Sequence, residues 1–228
     1  MTDLLADSAA SAGDGAGRPG RVLRGDPIAC ALGVLAGLLY NSWPLGFVLD
    51  PRAMRGTYLS VLEIPGRPHA QVFVACDLAA GLMAVVAGLL LLRDPLVAAG
   101  LAMFGIGNVL EGCIPIEASC SASVSACGSA PGQALAPHAL ASILSFAGLV
   151  LALWSLRHHS RRMSAVLVLV AGCALFLGVS VVADRWVTVS QISFLVACGV
   201  ALGAVPLARA SSGRDPAPRG RAASRRTR

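Results

Sequence analysis

The chain has 228 residues, of which 56% are hydrophobic and only 13% charged, whereas a soluble domain carries about a quarter charged residues. That balance excludes an ordinary water-soluble globule and points to lipid as the solvent. The net charge of +6 comes from eighteen arginines with no lysine. These arginines gather in the tails and one short loop, not on a face interleaved with aromatics, which excludes a nucleic-acid partner. Abundant Ala and Gly with arginine as the sole long cation suggest a GC-rich bacterial genome.

Residues 1–24 are Ser, Gly, Ala and Asp with three late arginines, Arg18, Arg21 and Arg24. So few large apolar groups cannot offset the entropy of ordering, and a disordered tail is expected. The first apolar run, about 27–43, follows directly. A signal peptide is the competing reading, because basic residues precede a short apolar core. No small-x-small cleavage site follows at Tyr40-Asn41-Ser42-Trp43, and more apolar runs come later. An uncleaved span is the reading adopted.

Five further runs lie at about 70–92, 96–114, 137–156, 163–183 and 186–207. Each approaches the ~20 residues that cross ~30 Å of hydrocarbon as a helix. The expected fold is therefore an all-α bundle of six transmembrane helices over residues 25–207, followed by a basic disordered tail, 208–228. An N-terminus in the cytoplasm places fourteen arginines inside, among them Arg93, Arg157, Arg161 and Arg162. Four face outward: Arg52, Arg55, Arg67 and Arg185. That asymmetry follows the positive-inside rule, with both termini cytoplasmic and the bundle in the cell membrane of a bacterium. The basic tail fixes topology, or else is drawn to anionic headgroups.

Helices in lipid associate by close approach and interhelical hydrogen bonds, so small residues should mark their inward faces. The first span carries Gly33-x-x-x-Gly37 and the last Gly199-x-x-x-Gly203, each a weak signal in a Gly-rich chain. Residues at i, i+4, i+7 and i+11 share one helical face. That stripe reads Asp77, Gly81, Ala84, Gly88 on the second span and Gly100, Phe104, Gly107, Glu111 on the third. On the fourth, His138, Ser142 and Ser145 share a face. Each stripe puts an ionisable group beside small or hydroxylated neighbours, where a membrane helix should hide it.

In this topology Asp77, Glu111 and His138 reach a similar depth near the outer face, with Glu63, Arg67 and His69 just above. Asn108 also lies inside the third span. Two accounts follow: a hydrogen-bonded clamp, with His138 meeting Asp77 or Glu111, or an outward-opening pocket for protons, a metal or a ligand. The ligand-binding candidates are Glu63, Arg67, Asp77, Asn108, Glu111, His138 and Ser142. Asp77, Glu111 and His138 are the catalytic candidates, and the only ones for a metal such as zinc or a harder cation. No H-E-x-x-H or C-x-x-C is present, no cofactor is expected, and His158 with His159 reads as a solvated pair.

The second outer loop carries Cys113, Cys120 and Cys127 where disulfides persist. A Cys120–Cys127 bond would pin this Ser/Ala-rich loop and leave Cys113 over, although the pairing among the three stays open. Cys30, Cys76, Cys173 and Cys198 lie in spans and read as small packing residues.

Three stretches carry a family resemblance: YLSVLEIPGRPHAQVFVACDLAAGL at 58–82, GNVLEGCIPIEASC at 107–120 and APHALASILSF at 136–146. Together they resemble a family of bacterial multi-helix membrane proteins, domain of unknown function nine hundred and ninety-eight, in its actinobacterial branch. The resemblance spans about 27–207. It implies a six-helix bundle with Asp77 opening the second span, Glu111 or Glu117 as the acid closing the third, Cys120 with Cys127 in the outer loop, and His138 opening the fourth. The chain departs from that pattern by the additional Cys113 and by Glu in place of Asp in the third span. The family implies no activity.

Three functions compete. The foremost is a non-catalytic bundle that binds membrane lipid or a partner, either a second copy or another membrane protein. The second is a membrane-embedded hydrolase in which Asp77, Glu111 and His138 activate water by acid–base or metal chemistry. The third is a small-solute transporter, disfavoured because the two halves show no repeat and the polar groups sit toward one side.

Overall fold

In hydrocarbon a backbone must satisfy its own hydrogen bonds, so apolar runs of this length can cross only as helices or as a closed barrel. The computed structural model describes residues 25–55, 58–114, 137–158, 160–183 and 186–212, and it is all-helical over them. The helices are α1 (Gly25–Tyr40), α2 (Gly46–Leu49), α3 (Ala70–Leu90), α4 (Pro95–Cys113), α5 (Pro137–Leu156), α6 (Arg161–Val182) and α7 (Val187–Ser212). Among the described residues six segments are long and apolar enough to cross a membrane: Pro27–Leu49, which runs from α1 through α2, and then α3, α4, α5, α6 and α7. The expected six-helix all-α architecture is thus present, and the chain is a multi-pass membrane protein by this measure. Both expected tails, 1–24 and most of 208–228, lie outside the described residues.

The spans keep their expected places with two differences. The first helix ends at Tyr40, and the chain continues through a 3-10 turn, Trp43–Leu45, into α2. Asn41 explains the break. Its amide Nδ2 donates back to the Gly37 carbonyl at 2.9 Å and across to that of Leu195 at 3.1 Å. Pro44 then opens the next turn, where its missing N–H costs nothing. At the other end of the chain α7 passes through Pro206 and runs to Ser212. Proline leaves the Leu202 carbonyl without its helical donor. A side chain at Gly33 would strike that same carbonyl at 2.6 Å, so only glycine lets α1 approach it.

Glycine contacts order the bundle. Gly37 meets Gly199 backbone to backbone, so the two Gly-x-x-x-Gly motifs that look weak in isolation face each other across α1 and α7. Gly81 of α3 lies against Gly105 of α4, and Gly100 of α4 against Gly148 of α5. Gly107 faces Ser145 of α5. These approaches maximise dispersion contact and need no hydrophobic drive, which lipid does not supply. The core between them is apolar and closed around Phe104, Leu101, Leu149, Leu153 and Leu202. By contrast α6 is the least buried of the six, and nothing lies within 4 Å of a side chain added at Gly172 or Gly178.

Because α1 and α7 run antiparallel, both tails leave from one end of the bundle. Arg209 of α7 pairs there with Asp94 at 3.5 Å, in the turn between α3 and α4. The opposite end carries the long connection from α1 to α3. That connection folds back on itself around Met54, Leu59, Val61, Leu62, Ile64 and Phe73.

A candidate ligand cavity at one end of the bundle

The connection between α1 and α3 is held shut by polar contacts. Asp50, with its side chain only 6% exposed, accepts from Arg67 Nε at 3.0 Å and from the Ala53 backbone N–H at 3.1 Å. Burial alone raises the Asp50 carboxyl. The hydrogen bonds from Arg67 and Ala53 and the nearby guanidinium charge outweigh it and hold the group below the ordinary aspartate value. A second tie is the Leu59 N–H donating to Gln191 Oε1 of α7 at 2.7 Å. Trp43 Nε1 donates to Asn41 Oδ1 at 3.3 Å, fixing the indole beside the end of α1.

Beneath this cover lies a partly open cavity of about 130 Å³. Every spanning helix contributes to its wall: Tyr40 from α1, Asp77 from α3, Glu111 from α4, His138 and Ser142 from α5, Leu177 from α6 and Cys198 from α7. The 3-10 segment Leu59–Glu63 adds Leu59, Ser60, Leu62 and Glu63. Alternating helix direction produces this convergence, because the ends of α1 and α4 meet the starts of α3, α5 and α7.

The sequence-predicted residues divide into two groups. Glu63, Asp77, Glu111, His138 and Ser142 line the one cavity. Glu63 and Asp77 hydrogen-bond to each other, and two carboxyls in that contact cannot both ionise, so a proton lies between them. Burial pushes the Glu63 carboxyl above its ordinary value, while the Asp77 contact and the His138 imidazole pull it part of the way back. Glu63 is half-buried and lines the cavity. Glu111 accepts from the Ser142 hydroxyl, which joins α4 to α5.

Arg67 and Asn108 stand apart. Arg67 is committed to Asp50 and does not line the cavity, since an isolated carboxylate so far from water binds the nearest cation. Asn108 is wholly buried between α3 and α4, where Nδ2 donates to the Asp77 carbonyl at 2.6 Å. Its Oδ1 finds no donor among the described residues. Asn108 therefore positions the backbone that carries Asp77, and the interhelical bond expected at this level is made by it. The anticipated clamp from His138 to Asp77 or Glu111 takes another form. His138 Nδ1 lies 2.8 Å from the Ile114 carbonyl, at the end of α4. A carbonyl only accepts, so Nδ1 carries the hydrogen in this contact. His69 shapes the entry to α3 as a left-handed residue with φ 60°.

Among the described residues no group of three or more His, Cys, Asp or Glu side chains is arranged to hold a metal ion. Asp77, Glu111 and His138 share a cavity, but their contacts turn toward different neighbours. Cys113 is exposed and free, whereas Cys120, Cys127 and Glu117 lie outside the described residues.

The aromatic wall was not anticipated. Tyr40 packs edge-on to Phe104 with ring centroids 5.3 Å apart, and Phe146 tilts against Phe194 at 5.5 Å. Both pairs line the cavity. Each ring had an ordinary place in an apolar run, and only its i, i+7 relation to a carboxylate marked one of them, Phe104 before Glu111. Gln191, a lone amide in an apolar run without charged residues, carried no signal at all. No family model, curated protein or solved structure matches the chain.

Proposed function

We propose that this chain is a bacterial cell-membrane protein, with both termini in the cytoplasm, that binds a small molecule or lipid headgroup in a cavity facing outward, without transforming it. One observation carries the reading. Side chains from all six spans and from the covering connection converge on a single polar and aromatic cavity, about 130 Å³ in size, at the end opposite the tails. Mixed apolar walls with a few convergent polar groups are the usual construction of a ligand site. The orientation is supported by arginine placement, since the end with Arg93, Arg157, Arg161 and Arg162 is the one from which the tails leave.

Native mass spectrometry of the purified full chain tests the binding. A retained small molecule or lipid, lost in His138→Ala with the fold intact, supports it. A consistently empty protein that turns over a lipid counts against it. Reporter fusions after Arg228 and within 157–162 test the orientation, and an outward-facing reporter at either place refutes it.

A hydrolase is the second reading, favoured by the Glu111–Ser142 contact, which pairs a base with a hydroxyl nucleophile. Substrate turnover abolished by Ser142→Ala in a folded protein would establish it over binding alone.

A further inference from the structure

The composition of the cavity wall is lopsided in two independent ways. The first is charge. Three carboxyl groups line it, Glu63, Asp77 and Glu111, against one imidazole, His138. Among the described residues no arginine or lysine reaches it. The nearest candidate, Arg67, is already occupied by Asp50. Carboxyl groups thus outnumber the one imidazole three to one, and no fixed cation among the described residues balances whichever of them ionise. Such a carboxyl-rich cleft favours a cation over an anion.

The second is aromatic content. The chain has only eleven aromatic residues, six Phe, three Trp and two Tyr. Six of them line this cavity: Tyr40, Trp43, Phe73, Phe104, Phe146 and Phe194. They come from α1, the turn after it, α3, α4, α5 and α7, so no single helix face accounts for their meeting. Aliphatic side chains would seal a packing void equally well, and the rest of that core, mostly alanine, leucine and valine, holds no other aromatic ring. Aromatic faces offer what aliphatic groups do not, a negative quadrupole that attracts a cation too weakly hydrated to resist leaving water. A metal ion would need several oxygen donors converging on one point, and no such group exists among the described residues.

We infer that the cavity binds a small organic ammonium group, with the aromatic rings surrounding the onium head and the carboxylates of Glu63, Asp77 and Glu111 supplying the counter-charge. The inference rests on the reading of this cavity as a ligand site and names the chemistry of its guest. Protons compete with such a guest. The titratable groups facing it are Glu63 from the covering segment, Asp77 from α3, Glu111 from α4, His138 from α5, Tyr40 from α1 and Cys198 from α7, while α6 contributes only Leu177. Acidification neutralises the carboxylates, and that weakens binding of a cation.

The test is calorimetric titration of the full chain in mild detergent with choline and with its uncharged carbon isostere, dimethylbutanol. Choline should bind at least about tenfold more tightly than the isostere, and more tightly at about pH 8 than at about pH 5. Glu111→Gln keeps the shape and the acceptor for Ser142, and should weaken choline about tenfold or more. Trp43→Leu, at the rim, provides a second variant whose folding does not depend on the buried carboxyls, and should weaken choline likewise. Repeating the titration in nanodiscs of phosphatidylcholine and of phosphatidylglycerol separates the sources. Choline binding abolished only in phosphatidylcholine assigns the lipid headgroup, and equal binding in both assigns a free ammonium compound.

Equal affinity for choline and the isostere overturns the inference, as does unchanged choline affinity in both variants. If native mass spectrometry finds a retained anionic or neutral ligand that choline does not displace, the ammonium assignment fails while the ligand-site reading survives. A cavity that retains nothing and binds neither probe sinks both.

Discussion

Replacing Gly100 by alanine tests the packing that brings α4 and α5 together. A methyl built there would lie 2.6 Å from the Gly148 carbonyl oxygen, 2.7 Å from the Ala152 backbone nitrogen and 2.8 Å from the Ala152 Cβ. Two of those neighbours are backbone, so no side chain can rotate away. Ordinary contact begins near 3.4 Å, and relieving the tightest clash requires the helices to part by about 0.8 Å, a gap that forfeits roughly a quarter to a half of each dispersion contact. Overpacking of this kind costs about 1–3 kcal/mol. The gain in helix propensity, about 0.5–1 kcal/mol in water, offsets little here, because an unfolded span in a bilayer stays helical. The net expectation is a loss of about 1–2 kcal/mol. The control is Gly172→Ala on α6, where nothing lies within 4 Å and the change should stay within about 0.5 kcal/mol. Unfolding by sodium dodecyl sulfate titrated into mild detergent, followed by tryptophan fluorescence, measures both. Equal stability of the two variants would refute the account of α4–α5 packing, and with it the reason Glu111 reaches Ser142.

Further expectations concern polar contacts. Arg67→Ala should lower stability by about 1.5–3 kcal/mol near neutral pH, the range for a hydrogen bond to a charged group. Asp50 titrates below its unfolded value, so its contribution is present at neutral pH and disappears as pH falls through the depressed value. The melting difference between wild type and Arg67→Ala should therefore vanish in acid, and a difference independent of pH would show that the Asp50 contact is not its source. Asn108→Leu should change stability by less than about 1 kcal/mol, since interhelical hydrogen bonds in membranes average about 0.6 kcal/mol and the substitution also removes an unpartnered buried oxygen. A loss well beyond that, in the same detergent titration, would mean that Oδ1 has a donor in the folded protein.

Much of the candidate site is visible in the sequence because membrane burial leaves a local mark. An ionisable residue in an apolar run must face protein, so Asp77, Glu111 and His138 stand out without knowledge of neighbours, and arginine placement sets them at one level. Glu63 follows from its position in the connection just before the second span. What local reasoning misassigns is pairing. Arg67 looks like a member of the cluster by sequence distance, yet Asp50, seventeen residues earlier, takes it. Asp50 sits at the end of an apolar run and gives no sign that it is buried until the connection folds over it.

Apolar run length alone determines that this chain has six membrane-length helices and roughly where they lie, and the stripes of small residues mark their packing faces. Those properties depend on one segment at a time, on hydrocarbon thickness and on helical pitch. Which helix stands beside which is decided only in three dimensions. The partnership of α1 with α7, the meeting of rings from six separate segments, and the closure of the 41–69 connection through Gln191 and Asp50 all depend on contacts between distant residues. An apolar side chain facing lipid and one facing a cavity read alike in sequence, because both environments lack water, and only the packed bundle distinguishes them.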